Sequence, residues 1–174
     1  MEDVNRRVRF ERLFADHATA VSAYARRRVG EVAADDALSE VFVIAWRRLD
    51  EIPDNERAWL YACARNVIAH QRRRAARDVA LVERLKESVT VLPENDEVLA
   101  RAFAELTGRD RELLMLVAWE GLEPAEAAAV LGCSRGALGV RLHRARRRLA
   151  RALHRIEADV STETPQPATR ESMP

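Results

Sequence analysis

Aromatic residues make up only 5% of the 174-residue chain, and glycine and proline number six each. So few strand-favouring side chains and so little turn punctuation exclude an all-β sandwich or barrel, which needs a turn roughly every 8–12 residues. Two cysteines, Cys63 and Cys133, cannot build a disulfide framework or a zinc site of the usual spacing. Both lie in apolar contexts and read as small core residues. The histidines His17, His70, His143 and His154 are scattered, no His–acid cluster has ligand spacing, and no Gly-rich phosphate loop occurs. No cofactor, metal or catalytic residue is therefore expected. No stretch approaches the roughly 18 consecutive apolar residues of a membrane span. The charged start, MEDVNRRVRF, does not resemble a signal peptide. The expectation is a soluble, cytoplasmic, non-enzymatic protein without membrane insertion. Lysine is nearly missing as well: Lys86 stands alone against 28 arginines.

What is present is 48% hydrophobic and 33% charged, enough for a packed core with a highly charged surface. The formal net charge of +1 conceals a blocky arrangement. Residues 1–30 carry +3 and 31–56 carry −6, while 57–77 carry +6 with no acid. Residues 78–133 carry −7, 134–155 carry +8 again without an acid, and 156–174 carry −3. Two acid-free basic blocks separated by acidic stretches fit two separate phosphate-contacting surfaces.

Apolar periodicity predicts an all-α protein. Phe10, Leu13, Phe14, Val21, Tyr24 and Ala25 mark a helix over 10–28, which Gly30 ends. A second helix opens near 33–35 and runs to about 49, with Asp35 and Asp36 in its first turn and Arg47 and Arg48 in its last, as the helix dipole favours. Residues 50–55 read as a loop, and 56–77 as a third helix that buries Trp59, Leu60, Cys63, Val67 and Ile68. The expected organisation is a helical domain over 1–77, a linker over 78–96, a second helical domain over 97–156, and a disordered tail over 157–174.

The sharpest local signal is the stretch from Glu123 to Leu142. Pro124 suits the first position of a helix, Ala128 and Gly132 suit a close helical approach and a tight turn, and Ser134 caps the helix that follows. That helix has Leu138, Leu142, Ala145 and Leu149 on one edge and Arg135, Arg141, Arg144, Arg147 and Arg148 opposite, as entry into a major groove requires. The first basic block differs in chemistry. Trp59, Tyr61, Asn66, His70 and Gln71 interleave with Arg57, Arg65, Arg72, Arg73 and Arg74, which suits stacking and hydrogen bonding to unpaired bases. From the residues alone, a self-standing helix-turn-helix regulator acting as a dimer stays open beside a polymerase-dependent factor.

Three stretches, in order, resemble bacterial RNA polymerase sigma factors of the extracytoplasmic-function (ECF) type of the sigma-70 family. Residues 34–47 (ADDALSEVFVIAWR) are similar to the family's polymerase-binding helix in region 2, 59–68 (WLYACARNVI) to its promoter-melting helix, and 106–149 to region 4. The resemblance implies a region 2 helical bundle and a region 4 helix-turn-helix joined by a linker. It implies that core RNA polymerase and promoter DNA are partners, with an anti-sigma factor as a further one. Asp35, Asp36, Ser39 and Glu40 would contact core polymerase. Arg57, Trp59, Tyr61, Arg65, Asn66, His70, Arg72, Arg73 and Arg74 would hold the minus-ten element. Ser134, Arg135, Ala137, Val140, Arg141, Arg144 and Arg147 would read the minus-thirty-five element. The chain departs from the family's pattern at Ser39, where a Gln is usual. It departs again at Gly139-Val140, where the family usually places a basic or hydroxyl residue after the conserved apolar one.

Overall fold

The computed structural model describes residues 2–79 and 97–163, and all regular structure among them is helical. Helix α1 (Glu2–Arg47) is broken at Gly30, whose φ of 77° and ψ of 176° leave helical space. A 3-10 turn (Leu49–Glu51) leads to α2 (Glu56–Val79). Helices α3 (Glu97–Ala104), α4 (Gly108–Ala118), α5 (Pro124–Leu131) and α6 (Arg135–Glu163) follow. The first helix starts eight residues earlier than its apolar period predicted. Its added turns are held from outside the period: Arg6 donates to the Trp46 carbonyl at 2.8 Å and pairs with Asp50 at 2.7 Å. At the other end α6 runs on past residue 157, through seven residues expected in the tail. Residues 80–96 and 164–174, most of the expected linker and tail, lie outside the described residues.

The two arms of α1 fold back on each other and on α2. Leu13, Val21, Tyr24 and Ala25 from the first arm and Ala34, Ala37, Val41 and Ala45 from the second are fully enclosed with Leu60 and Ala64 of α2. At the outer end Phe10 packs edge-on against Phe42 and Trp46, with ring centroids 6.2 and 5.2 Å apart. Gly30 makes this hairpin possible, because φ near +77° with extended ψ is a region that only glycine enters cheaply.

The helix-turn-helix forms from the signals its sequence carries. Pro124 starts α5, and Glu123 and Glu126 close a reciprocal capping box. Gly132, at φ 63°, terminates α5 in the left-handed region, and the Cys133 amide returns to the Ala128 carbonyl at 3.0 Å. Ser134 Oγ accepts from the Ala137 amide at 3.2 Å and caps α6. Leu138, Leu142 and Ala145 bury the inner edge of α6 against α4 and α5, while Ala152 and Ile156 pack against Ala102 of α3.

The two halves do not stand apart. A single apolar core runs from Leu13 through Ala64 and Ile68 to Leu113, Ala128 and Leu138, and α2 packs directly on α5. Replacing Gly30 by Ala meets no steric neighbour, so only backbone strain of about 1–3 kcal/mol opposes it. Urea unfolding of Gly30→Ala followed by circular dichroism is expected to show a loss of that size.

Candidate nucleic-acid interface

Three faces carry the side chains singled out by sequence. On the second arm of α1, Asp35, Asp36, Ser39 and Glu40 are all exposed, opposite the buried Ala34, Ala37 and Val41. Ser39 Oγ is turned back onto the Asp35 carbonyl at 3.0 Å. The exposed face continues to Val43 and Trp46, which are 48% and 39% exposed. Apolar periodicity alone puts Trp46, with Ala37, Leu38, Val41, Phe42, Ile44 and Ala45, in a buried stripe, and Val43 outside it. The signal that finds them is their spacing: Val43 lies seven residues after Asp36 and three after Glu40, and Trp46 lies seven after Ser39 and three after Val43, which puts them on the acidic face.

On α2, Trp59, Asn66, His70 and Arg73 recur at helical spacing and share a face. Asn66, His70, Arg65, Arg73 and Arg74 are exposed; Trp59 is half-buried, with the Arg48 guanidinium 5.9 Å from its ring centroid. Tyr61 is a correction. It is 2% exposed, its ring centroid lies 5.0 Å from that of Tyr24, and it is core rather than a platform for a base. Being two residues from Trp59, it has to point to another side of the helix. Arg57 and Arg72 are both engaged within the chain, Arg57 with the Gly121 carbonyl at 2.8 Å and Arg72 with the Arg28 carbonyl at 2.5 Å. Burial lowers the Arg72 pKa from its ordinary value, and Arg28 and Arg111 add repulsion.

On α6, Val140, Arg144 and Arg147 are exposed on one side together with Gly136 and His143, which the sequence reading did not single out. Val140 is 53% exposed. No side chain or backbone lies within 4 Å of a Cβ built on Gly136 or Gly139, so this face is open and flat. Arg135 is exposed, Ala137 half-buried, and Ser134 is occupied as the helix cap. Arg141 turns a different way, into a cleft of about 850 Å³ between the two halves. Arg65, Asn66, Arg72 and Arg73 line its other wall. Arg148, on the same side, is tied to Asp110 at 2.5 Å.

The Sigma-70 region 2 family model matches residues 13–78 and the Sigma-70 region 4 model matches 96–149. The chain is 33% identical to the ECF RNA polymerase sigma factor SigL of Mycobacterium tuberculosis over 159 residues, covering 83% of this chain and 88% of the relative. The chain belongs to the ECF sigma factors of the sigma-70 family. It is also 34% identical to CnrH of Cupriavidus metallidurans over 164 residues, 83% of this chain and 86% of that protein. Among solved structures it is similar to the sigma factor RpoE bound to the anti-sigma factor NepR from Bartonella quintana. That match has a TM-score of 0.69 at 27% identity and covers 83% of this chain and 96% of that one. CnrH in complex with the cytosolic domain of CnrY matches with a TM-score of 0.59 at 31% identity, covering 89% of each chain. As a sigma factor, the protein binds core RNA polymerase and directs promoter recognition and transcription initiation; it is not an enzyme. No described helix is long and apolar enough to cross a membrane.

Beneath these faces the core of this sigma factor holds neutral groups away from water. Burial raises the Cys63 thiol from an ordinary 9.0 to about 11, and burial together with Glu112 carries the Tyr24 phenol well above its usual value. Both groups favour the protonated form when folded, so their contribution is intact below pH 9 and fades as the unfolded chain ionises first. The urea midpoint is expected to fall between pH 9 and pH 11, and Cys63→Ala to flatten that fall; a midpoint flat across the window would contradict the assignment.

Proposed function

We propose that this sigma factor divides its work among the three exposed faces. The face of Asp35, Asp36, Ser39 and Glu40, extended by Val43 and Trp46, docks on core RNA polymerase. An acidic patch edged by two exposed apolar side chains combines electrostatic steering with a buried anchor, and Trp is a favoured anchor type. The α2 face of Trp59, Asn66, His70 and Arg73, flanked by Arg65 and Arg74, holds the melted minus-ten strand. Arginine supplies the phosphate contacts, Trp59 a stacking surface and Asn66 a base-edge hydrogen bond. Helix α6 enters the major groove of the minus-thirty-five element. Val140 meets a thymine methyl there while Arg135, Arg144 and Arg147 hold phosphates.

Functional domains over 1–77 and 97–156 follow from this division, and a place in the cytoplasm follows from the polymerase partner. The matched structures hold anti-sigma factors, which supports a partner of that kind for this chain too. The observation that carries the reading is the pairing of an exposed acidic face on α1 with exposed, acid-free faces on α2 and α6.

Each face is testable separately. Asp36→Arg is expected to weaken core polymerase binding about tenfold with no change in thermal midpoint, since like charge across an interface is costly while the site is exposed. Surface-plasmon binding to core reads it, and unchanged affinity sinks the assignment. Arg144→Ala is expected to weaken binding to minus-thirty-five duplex and to lower the slope of log K against log salt by about 1. Asn66→Ala should leave duplex binding intact and slow open-complex formation, followed by permanganate reactivity of unpaired thymines.

A further inference from the structure

The cleft between α2 and the second half holds about 850 Å³, within the roughly 300–1,000 Å³ of small-ligand sites. Seven arginines line it against two carboxylates, Asp110 and Glu112. Both carboxylates are already spent. Asp110 Oδ2 pairs with Arg148 at 2.5 Å. Glu112 Oε2 accepts from Arg28 Nε at 2.8 Å, and its other oxygen accepts from the Tyr24 hydroxyl at 2.9 Å. Arg72 donates to the backbone carbonyl of Arg28 at 2.5 Å rather than to an acid. Arg65, Arg109 and Arg141 meet no carboxylate among the described residues.

The wall opposite α2 adds backbone donors. Thr107 Oγ1 accepts from the Asp110 amide at 3.2 Å, and the Arg111 amide returns to the Thr107 carbonyl at 3.0 Å. The Gly108 and Arg109 amides, first-turn donors of α4 without an intrahelical partner, belong to residues at the same edge of the cleft. Arg28, 5% exposed, lines the cleft as well, and its Nη2 is buried without a hydrogen-bond partner. The surplus of cation is felt within the chain: burial lowers the Arg72 pKa, Glu112 opposes this, and Arg28 and Arg111 add repulsion. A concave site lined by one sign of charge focuses its field and concentrates counter-ions. Duplex DNA does not suit it, because a duplex is read by an element that protrudes into its groove, and this site is a hollow between helices. A compact anion carrying several charges in a row does suit it, since guanidinium forks match phosphate oxygens two at a time.

We propose that this cleft binds a linear oligophosphate, either free or as the phosphate chain of a nucleotide. Its phosphates bridge Arg65 and Arg72 of α2 to Arg109, Arg141 and the first turn of α4. A single phosphate offers too few oxygens for the donors of both walls. Arg65 is shared with the α2 face assigned to the melted strand. Arg72, Arg109 and the α4 amides belong to no face assigned to DNA, and Val140, Arg144 and Arg147 are no part of the cleft lining. The site therefore stands or falls apart from the promoter assignments.

The test is calorimetry on the full chain with inorganic triphosphate in about 0.15 M salt, where exposed charges are screened beyond roughly 8 Å. One triphosphate per chain is expected, bound at least about tenfold more tightly than orthophosphate, because each further charge-assisted hydrogen bond adds affinity. Arg109→Glu should weaken triphosphate about tenfold or more while its helical circular dichroism and its affinity for minus-thirty-five duplex stay as in wild type. Arg144→Ala, on the duplex face, should leave triphosphate affinity unchanged. Adenosine triphosphate separates the two sources: tighter binding than inorganic triphosphate supports a nucleotide, and equal or weaker binding supports the phosphate chain alone. No binding of triphosphate, several ions per chain, equal affinity for orthophosphate, an Arg109→Glu chain that binds as wild type does, or a loss that follows Arg144 instead would each overturn the site.

Discussion

Arg28 draws its two carboxylate partners, Glu112 and Glu120, from the far half of the chain rather than from its own helix. A guanidinium so enclosed is tolerable only beside opposite charge, and here Nε and Nη1 are met by carboxylates while Nη2 is buried without a hydrogen-bond partner. Tyr24 lies beneath it, Glu112 is shared between the two, and Arg27 takes the outer oxygen of Glu120. Burial alone would lower the Arg28 pKa; the attraction of Tyr24, Glu112 and Glu120 outweighs it and leaves the pKa raised. Because α1 turns just beyond this residue at Gly30, the same point of the chain sets both the hairpin of α1 and the docking of the second half. Together with the packing of α2 on α5, that junction holds α4, α5 and α6 against the first half of the chain.

The parts of the molecule legible from sequence are those with local causes. The turn between α5 and α6 depends on Pro124, Gly132 and Ser134 within a dozen residues, and each does in the structure what its chemistry permits. The apolar periods of α1, α2 and α6 are likewise local, and Leu13, Leu60 and Leu138 lie at the core as their spacing requires. The acidic face at Asp36 and Glu40 is legible for the same reason, since charges alternating with buried alanines can only face outward. Errors entered where a residue type was weighed without its angle on the helix. Tyr61 resembles a base platform by chemistry but sits opposite the face of Trp59. Trp46 resembles core by hydrophobicity but emerges beside the acidic patch.

Closure of the two halves was not legible, and the reason is separation along the chain. The partners of Arg27 and Arg28 lie 84 to 93 residues away, across a segment whose acids look like a uniform excess when counted. Segment charge records that residues 78–133 are acidic; it does not distinguish Glu112 and Glu120, which neutralise buried arginines, from acids that face solvent. The two blocks of charge are better described as halves of one balance. Some of the acid in the second half compensates cations of the first, and exposed arginines on α2 and α6 make up the cationic surface.

The seam between the halves joins two kinds of contact. Its apolar part belongs to the one core that runs through both halves, and includes α2 against α5, where Ala127 and Ala128 are buried. Its polar part is made of ions whose desolvation offsets much of their attraction, so the pairs contribute far less to docking than their gross strength and the apolar contacts carry the larger share. What the ions add is selectivity, since Arg28 enclosed without Glu112 and Glu120 would be an uncompensated buried charge.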